Sequence, residues 1–302
     1  MSFDRSKPPV IFGEALFDCF PDGAEVLGGA PFNVAWHLTA FDASPIFISR
    51  VGEDGLGDRI EQAMSERGMT RVGLQRDPAH GTGTVQVSLA DGEPSYDIVS
   101  DRAYDHIDSG ALPDLPAGAL LYHGSLALRH RVSAKALGVL REALDPPVFL
   151  DVNLRDPWWD ETAVRGMIDA ARWVKLNADE LALLAPGVDA SVTDPIEARA
   201  LALMQRHGLE LVIATLGAAG ALALGADGTV CHIAPEQSVQ VVDAVGAGDG
   251  FASVLILGLL RGWPLPQTLQ RAQAFASAVV GQRGATVSDP EFYAAFARDW
   301  GL

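Results

Sequence analysis

Short β-branched runs alternate with amphipathic stretches along most of this chain, and that alternation restricts the fold more than any other feature. Val10–Phe17, Pro45–Val51, Ala119–His123, Val148–Val152, Trp173–Leu176 and Leu211–Thr215 read as buried strands. Between them Asn33–Phe41, Leu56–Arg67, Ser133–Leu144, Thr162–Arg172 and Pro195–His207 read as helices. In the last, Ile196, Ala200 and Leu203 recur on one helical face. Strand–helix–strand repetition requires crossover connections, so the expected class is α/β with a mostly parallel sheet. After residue 243 the pattern is helical, through Asp249–Arg261, Pro266–Val280 and Pro290–Trp300.

Two segments depart from this rhythm. Thr84–Val99 alternates around Asp91-Gly92, and Gly220–Ile233 turns at Ala226-Asp227-Gly228; both read as hairpins. No helix follows the first hairpin in sequence, so its apolar face is expected to be covered by a substrate, a lid partner or a second subunit. Without a Ser/Gly/Pro-rich linker, the 302 residues read as one α/β unit with a small β excursion.

Charge and composition remove whole classes of function. The 22 Lys and Arg against 39 Asp and Glu leave a net charge of −17, with no basic footprint for nucleic acid. An anionic substrate would have to be held by local positive groups against that field. The opening MSFDRSKPPV has no apolar core of a signal peptide, and no apolar run approaches a membrane span. Two cysteines, Cys19 and Cys231, exclude a disulfide framework. A cytoplasmic protein is the expectation.

The most informative stretch is VVDAVGAGDGFASVLILGLL, Val241–Leu260. A strand end passes through Gly246-Ala247-Gly248-Asp249-Gly250 into a long apolar helix. Small residues let successive backbone N–H groups converge at the helix start, which makes an anion cradle. Asp249 is either the cap of that turn or a carboxylate placed beside the anion. A dinucleotide fingerprint fails because Phe251 stands where the last glycine belongs, and no Gly-Lys-Ser/Thr exists for a P-loop.

At the other end, Asp18 closes a strand and Gly28-Gly29 precedes the helix carrying Asn33. Strand ends and helix starts are where open α/β sheets bind ligands. Asp18 and Asn33 can hydrogen-bond adjacent hydroxyls of a polyol over the bare glycine backbone, or serve as a turn and a cap. Asn177 and Glu180 stand three apart at a helix start, as a cation pair facing a hydrated ion or as ordinary capping. Thr215, Gly217 and Gly220 form a strand-to-turn passage. His123 and His130 read as packing or surface residues, and Gly124-Ser125 lacks the second glycine of a nucleophile elbow because Ala127 occupies it.

Taken in order, GEALFD, GGAPFNVA, SRVGEDGLGD, DVNLR, KLNADE, TLGAAG and DAVGAGDGF resemble the ribokinase-like carbohydrate kinases of the PfkB family, and fructokinases in particular, from about Val10 to Ala285. The resemblance implies a three-layer α/β/α core over residues 1–302 with a small β lid from about 14–30 and 83–107. It implies transfer of the γ-phosphoryl of MgATP to a sugar hydroxyl, with fructose first; 2-keto-3-deoxygluconate, ribose, adenosine and a non-catalytic sugar-binding homologue are the alternatives. Asp249 would be the base, and Gly246, Ala247 and Gly248 the anion hole. Asp18, Gly28, Gly29, Asn33, Tyr96, Arg102 and Arg155 would face the sugar. Asn177, Thr215, Gly217, Gly220, Gln273 and Gly284 would face the nucleotide. Asn177 and Glu180 would organise Mg²⁺ largely through water, and Asp243 a monovalent cation such as K⁺. Tyr96 and Arg102 can equally be exposed strand residues, and Arg155 half of a structural ion pair. A homodimer through the lid is expected. Ala244 stands where the family has Thr, and Gln273 where many members have Asn.

Overall fold

The computed structural model of the chain describes residues 3–90, 93–187, 194–235, 242–243 and 245–302. The Asp91-Gly92 turn and Ala244 lie outside them.

The first half of the chain forms β1 (Val10–Phe12), β2 (Leu16–Cys19), β3 (Glu25–Gly28), α1 (Ala30–Ala40), β4 (Ile46–Gly52), α2 (Gly55–Arg67), β5 (Leu74–Asp77), β6 (Gly83–Ala90), β7 (Glu93–Ile98), β8 (Leu121–His123) and α3 (Arg131–Leu144). The second half forms β9 (Val148–Asp151), α4 (Glu161–Asp169), β10 (Trp173–Asn177), α5 (Ala178–Leu184), α6 (Pro195–His207), β11 (Leu211–Thr215), β12 (Ala221–Gly225), β13 (Val230–Ile233), α7 (Ala247–Arg261), α8 (Leu265–Val280) and α9 (Pro290–Trp300).

Among the described residues nine strands build one sheet in the order β13-β12-β11-β10-β9-β8-β1-β4-β5. β11 through β5 run parallel, and β12 and β13 add antiparallel at one edge. Alternate residues of each strand enter opposite cores. Ile11, Phe47, Tyr122, Phe149 and Ile213 join the cluster built with α1, α2, α7, α8 and α9. Val10, Phe12, Ile48 and Leu121 pack with α3, and Leu150, Val174, Leu176 and Val212 pack with α4, α5 and α6. The layers are therefore helix, sheet, helix, as expected of strands that are apolar on both faces. Helix α7 is apolar and buried almost all round, which places it centrally. Among the described residues no helix is long and apolar enough to cross a membrane.

The sequence suggests one strand over Val10–Phe17; the chain makes two. Gly13 takes φ +150°, and a Cβ there would collide with the Pro31 ring. The backbone leaves the large sheet at Gly13 and enters a second, four-stranded sheet of order β3-β2-β6-β7. The short strands β3 and β5 carry too little alternation to be read from sequence, and α4 ends at Asp169, short of Arg172.

The hairpin β6–β7 was expected to need cover from outside the chain. Within the chain, its Val85 and Ile98 pack with Leu16 on Tyr104, Leu126 and Ala127, and all six are buried. The cover comes from two short 3₁₀ turns after the hairpin, Ala103–His106 and Leu126–Arg129, too short to give a periodic signal.

Candidate active site

The C-terminal ends of β1, β8 and β9, the starts of α1 and α7, and one face of the small sheet enclose a cleft of about 620 Å³. Two glycines make this convergence possible. Gly29 caps α1 at φ +106°, and a Cβ there would lie 2.7 Å from the Glu14 carbonyl oxygen. Gly246 caps α7 at φ +83°, and a Cβ there would strike Ala285. Only glycine lets both helix starts press so closely on neighbouring backbone. Both positive helix ends then face the cleft.

Asp249 lies in the first turn of α7. Asn33, in the first turns of α1, donates its Nδ2 amide to Asp249 Oδ2 over 2.8 Å. Asn33 Oδ1 is buried without a partner. A Cβ on Gly28 would lie 3.8 Å from Asp18 Oδ2 and 4.0 Å from Asn33 Oδ1, so both acceptors meet above the same bare backbone. Two acceptors converging on one spot suit adjacent hydroxyl groups.

The cleft is crowded with carboxyl groups: Glu14, Asp18, Asp22, Asp243 and Asp249 line it, against Arg155 and Arg283. Burial pushes Asp249 up to about 6, despite the Asn33 hydrogen bond that favours its charge; Asp151 pushes the same way. Burial pushes Asp18 up to about 6, with Asp243 adding to it and Arg155 opposing. Burial pushes Glu14 up to about 7, and the Asp249 charge adds to that. The dipole of α7 therefore does not keep Asp249 at an ordinary carboxylate value, because desolvation is the larger effect.

Other anticipated residues fall into two groups. Gly28, Gly29, Tyr96, Arg155, Asp243, Gly246, Gly248 and Gly284 line the cleft, and Ala247 is the first residue of α7. Asp243 accepts the N–H groups of Val245 and Gly284 on its two oxygens. Arg102 does not line the cleft: it precedes a short 3₁₀ turn, and its guanidinium lies beside Gly81. Thr215, Gly217, Gly220 and Gln273 also lie outside the cleft lining formed by the described residues. Thr215 Oγ1 donates to the Leu176 carbonyl, Gln273 Nε2 donates to Ser277 Oγ within α8, and the missing Cβ of Gly220 lets the Ile233 carbonyl approach.

Asn177 and Glu180 form a reciprocal capping box on α5: Asn177 Oδ1 accepts from Glu180 N at 2.9 Å and Glu180 Oε2 from Asn177 N at 2.8 Å. Glu180 Oε1 accepts from Leu154 N at 2.7 Å. Each Glu180 oxygen spends one lone pair on backbone and keeps another. Those remaining lone pairs can meet a hydrated ion through its water shell.

Sequence reasoning missed Glu14, Ser125, Asn153 and Arg283, which also line the cleft. Glu14 was legible only as part of GEALFD, beside the glycine where the strand breaks. A second omission lies beneath the cleft. Lys175 Nζ sits 2.9 Å from both oxygens of Asp151, both residues are buried, and the ammonium lies under Gly248. Asp151 ends β9 and Lys175 stands mid-way along β10, two residues before Asn177.

A buried carboxylate beside a backbone anion cradle, near hydroxyl acceptors, can take a proton from an alcohol while the cradle neutralises an anion. Comparison with known proteins points the same way. The profile of the pfkB family of carbohydrate kinases matches residues 20–291. The chain is 32% identical to a fructokinase of Klebsiella pneumoniae over 263 residues, covering 82% of this chain and 83% of that one. It is 29% identical to the aminoimidazole riboside kinase of Salmonella typhimurium over 300 residues, covering 93% and 91%. The crystal structure of a Vibrio cholerae fructokinase with fructose, ADP and calcium ion superposes with a TM-score of 0.82 at 25% identity, covering 96% of this chain and 99% of that one.

Proposed function

Because the chain belongs to the pfkB family of carbohydrate kinases, and is thereby a phosphotransferase, we propose that it moves the γ-phosphoryl group of ATP to a hydroxyl of fructose. The observation that carries this reading is the Asn33–Asp249 bond, which ties a hydroxyl-binding helix start to an anion-binding one.

In this reading Asp18 and Asn33 accept hydrogen bonds from the sugar, over Gly28 and Gly29. Tyr96 and Arg155 close the sugar side. Asp249 takes the proton of the attacking hydroxyl. The backbone N–H groups of Gly246, Ala247 and Gly248 meet the transferring phosphoryl, whose loose transition state needs positioning and neutralisation more than covalent help. Two helix ends and the two cleft arginines supply that locally in a chain of charge −17. Arg102 has no place in this arrangement.

Thr215, Gly217, Gly220, Gln273 and Gly284 form the nucleotide side by resemblance; of these, Gly284 supports it by lining the cleft. Mg²⁺ would stand near Asn177 and Glu180 through its waters and supply further neutralisation of the phosphates. Asp243 remains the candidate beside a monovalent cation. The small sheet, from about 14–30 and 83–107, serves as the lid of a kinase domain spanning 1–302. A homodimer through that lid now rests on resemblance alone, since the chain covers the hairpin's Val85 and Ile98 itself. Cytoplasmic placement stays a reading of composition.

A second sugar has support. The aminoimidazole riboside kinase relative covers 93% of this chain, so a riboside competes with fructose. Coupled ADP-release assays with fructose, ribose, 2-keto-3-deoxygluconate, adenosine and aminoimidazole riboside rank the two. Fructose should give the highest kcat/KM. A riboside ranking first replaces the substrate, and absence of turnover with every sugar at intact fold removes the catalytic reading in favour of a binding protein.

A further inference from the structure

Outside the cleft, we propose that His80, Asp101 and His106 form a binding site for a divalent transition metal of the zinc type at the root of the small sheet. One ligand atom from each lies within 4.8 Å of the others. Asp101 Oδ1 is 2.7 Å from His106 Nε2 and 3.7 Å from His80 Nε2.

The protons argue for a cation. His80 Nδ1 lies 3.0 Å from Asp77 Oδ2, and that carboxylate is buried and held by Arg50 Nε at 3.0 Å. Asp77 Oδ1 already accepts the N–H groups of Ala79 and His80. A carboxylate so placed can only accept, so the His80 proton belongs on Nδ1. Nε2 of a neutral His80 then turns a lone pair toward an Asp101 oxygen 3.7 Å away, two acceptors that a cation between them would join. His106 brings its Nε2 to the same oxygen at 2.7 Å; the two rings stack 3.7 Å apart at 12°, so one must tilt for both nitrogens to point at a common ion. A metal ion taking the place of the His106 proton satisfies two nitrogens and a carboxylate at once.

The second sphere is that of a metal-binding histidine. A carboxylate on the far imidazole nitrogen fixes tautomer and ring orientation and strengthens the donor. Asp77–His80 supplies the rigid half, while Asp101, with 71% of its side chain exposed, supplies a half free to swing into place. Imidazole nitrogen with carboxylate oxygen selects zinc, copper or nickel over magnesium or calcium. His80 precedes β6, and Asp101 follows β7; the Ala103 N–H donates to the Gly81 carbonyl between them at 2.9 Å. An ion here staples together the two strand ends from which the hairpin projects.

The test is calorimetric titration of the untagged, chelator-treated full chain with Zn²⁺, and with Co²⁺ followed by visible absorption. The expected result is one ion per chain, with Co²⁺ bands of a low-coordinate N/O site. His106→Gln and the exposed Asp101→Asn should each weaken binding by at least about tenfold, with metal-free melting curves unchanged. No binding, or binding unaffected by both variants, overturns the proposal. So does loss of binding on His232→Gln alone, which would place the ion at the Asp194–Glu197–His232 group instead.

Discussion

Asn33 and Asp249, 216 positions apart in sequence, are joined by a 2.8 Å hydrogen bond from a side-chain amide to a carboxylate oxygen. The bond uses the amide nitrogen of Asn33 and leaves its oxygen buried and unpaired, facing Gly28 as Oδ2 of Asp18 does. In the proposed reaction one residue would thus orient the group that takes the proton and present an acceptor to the molecule that gives it.

Replacing Asp18 by alanine should weaken fructose binding by ~1.5–3 kcal/mol, since a charged acceptor is lost and a substrate hydroxyl is left unpaired in a closed site. Calorimetry on the variant measures this directly. Unchanged affinity would return Asp18 to the role of a strand-end residue.

The acid limb of activity follows from the raised carboxyl groups. Asp249 and Asp18 are both raised to about 6, and the proposed reaction uses both in the ionised form, so kcat/KM should fall as pH drops through about 6. Because two protons block two roles, the slope of log kcat/KM against pH should exceed one below that value. A profile flat down to pH 5 would show that neither carboxylate needs its charge.

Glu14 gives the opposite sign in stability. Its folded value of about 7 lies above its ordinary 4.5, so folding favours its protonated form. That contribution is fully present below about pH 4.5 and is lost as pH rises through about 7. Glu14→Gln should therefore leave Tm unchanged near pH 4.5 and raise it at pH 8, by on the order of 2–3 kcal/mol of stability. A Tm gain independent of pH would contradict this.

Lys175→Met should destabilise the fold by about 3–5 kcal/mol, because Asp151 would be left as an uncompensated buried charge. Chemical denaturation measures it. A variant of wild-type stability would mean that Asp151 takes up a proton at no cost.

What the sequence discloses and what it hides divide along local and non-local lines. Gly246–Gly250 is legible because a helix start that cradles an anion needs small residues in succession, and that need is met within one turn. Pro290–Trp300 is legible to the residue because Asp289 caps it and Gly301 ends it. Glu14 is not: its elevated value comes from burial beneath a helix start and from Asp249, and nothing near it in sequence announces either. Lys175 and Asp151 are likewise paired only by the register of β9 on β10. Arg102 drew attention by following the hairpin closely, yet the chain turns there and takes its guanidinium to Gly81. Asn177 and Glu180 illustrate a real degeneracy, since a capping box and a water-mediated cation site call for the same residues at the same spacing.

The measurement that tests the central claim most directly is steady-state kinetics of Asp249→Asn with fructose and MgATP, beside calorimetric fructose affinity of the same variant. The carboxamide keeps the shape and the contact with Asn33 but cannot take the proton. The account predicts a kcat lower by roughly 10²–10⁴-fold with fructose affinity nearly unchanged. A variant that keeps its kcat and loses its affinity for fructose would contradict it, and would make Asp249 a binding residue.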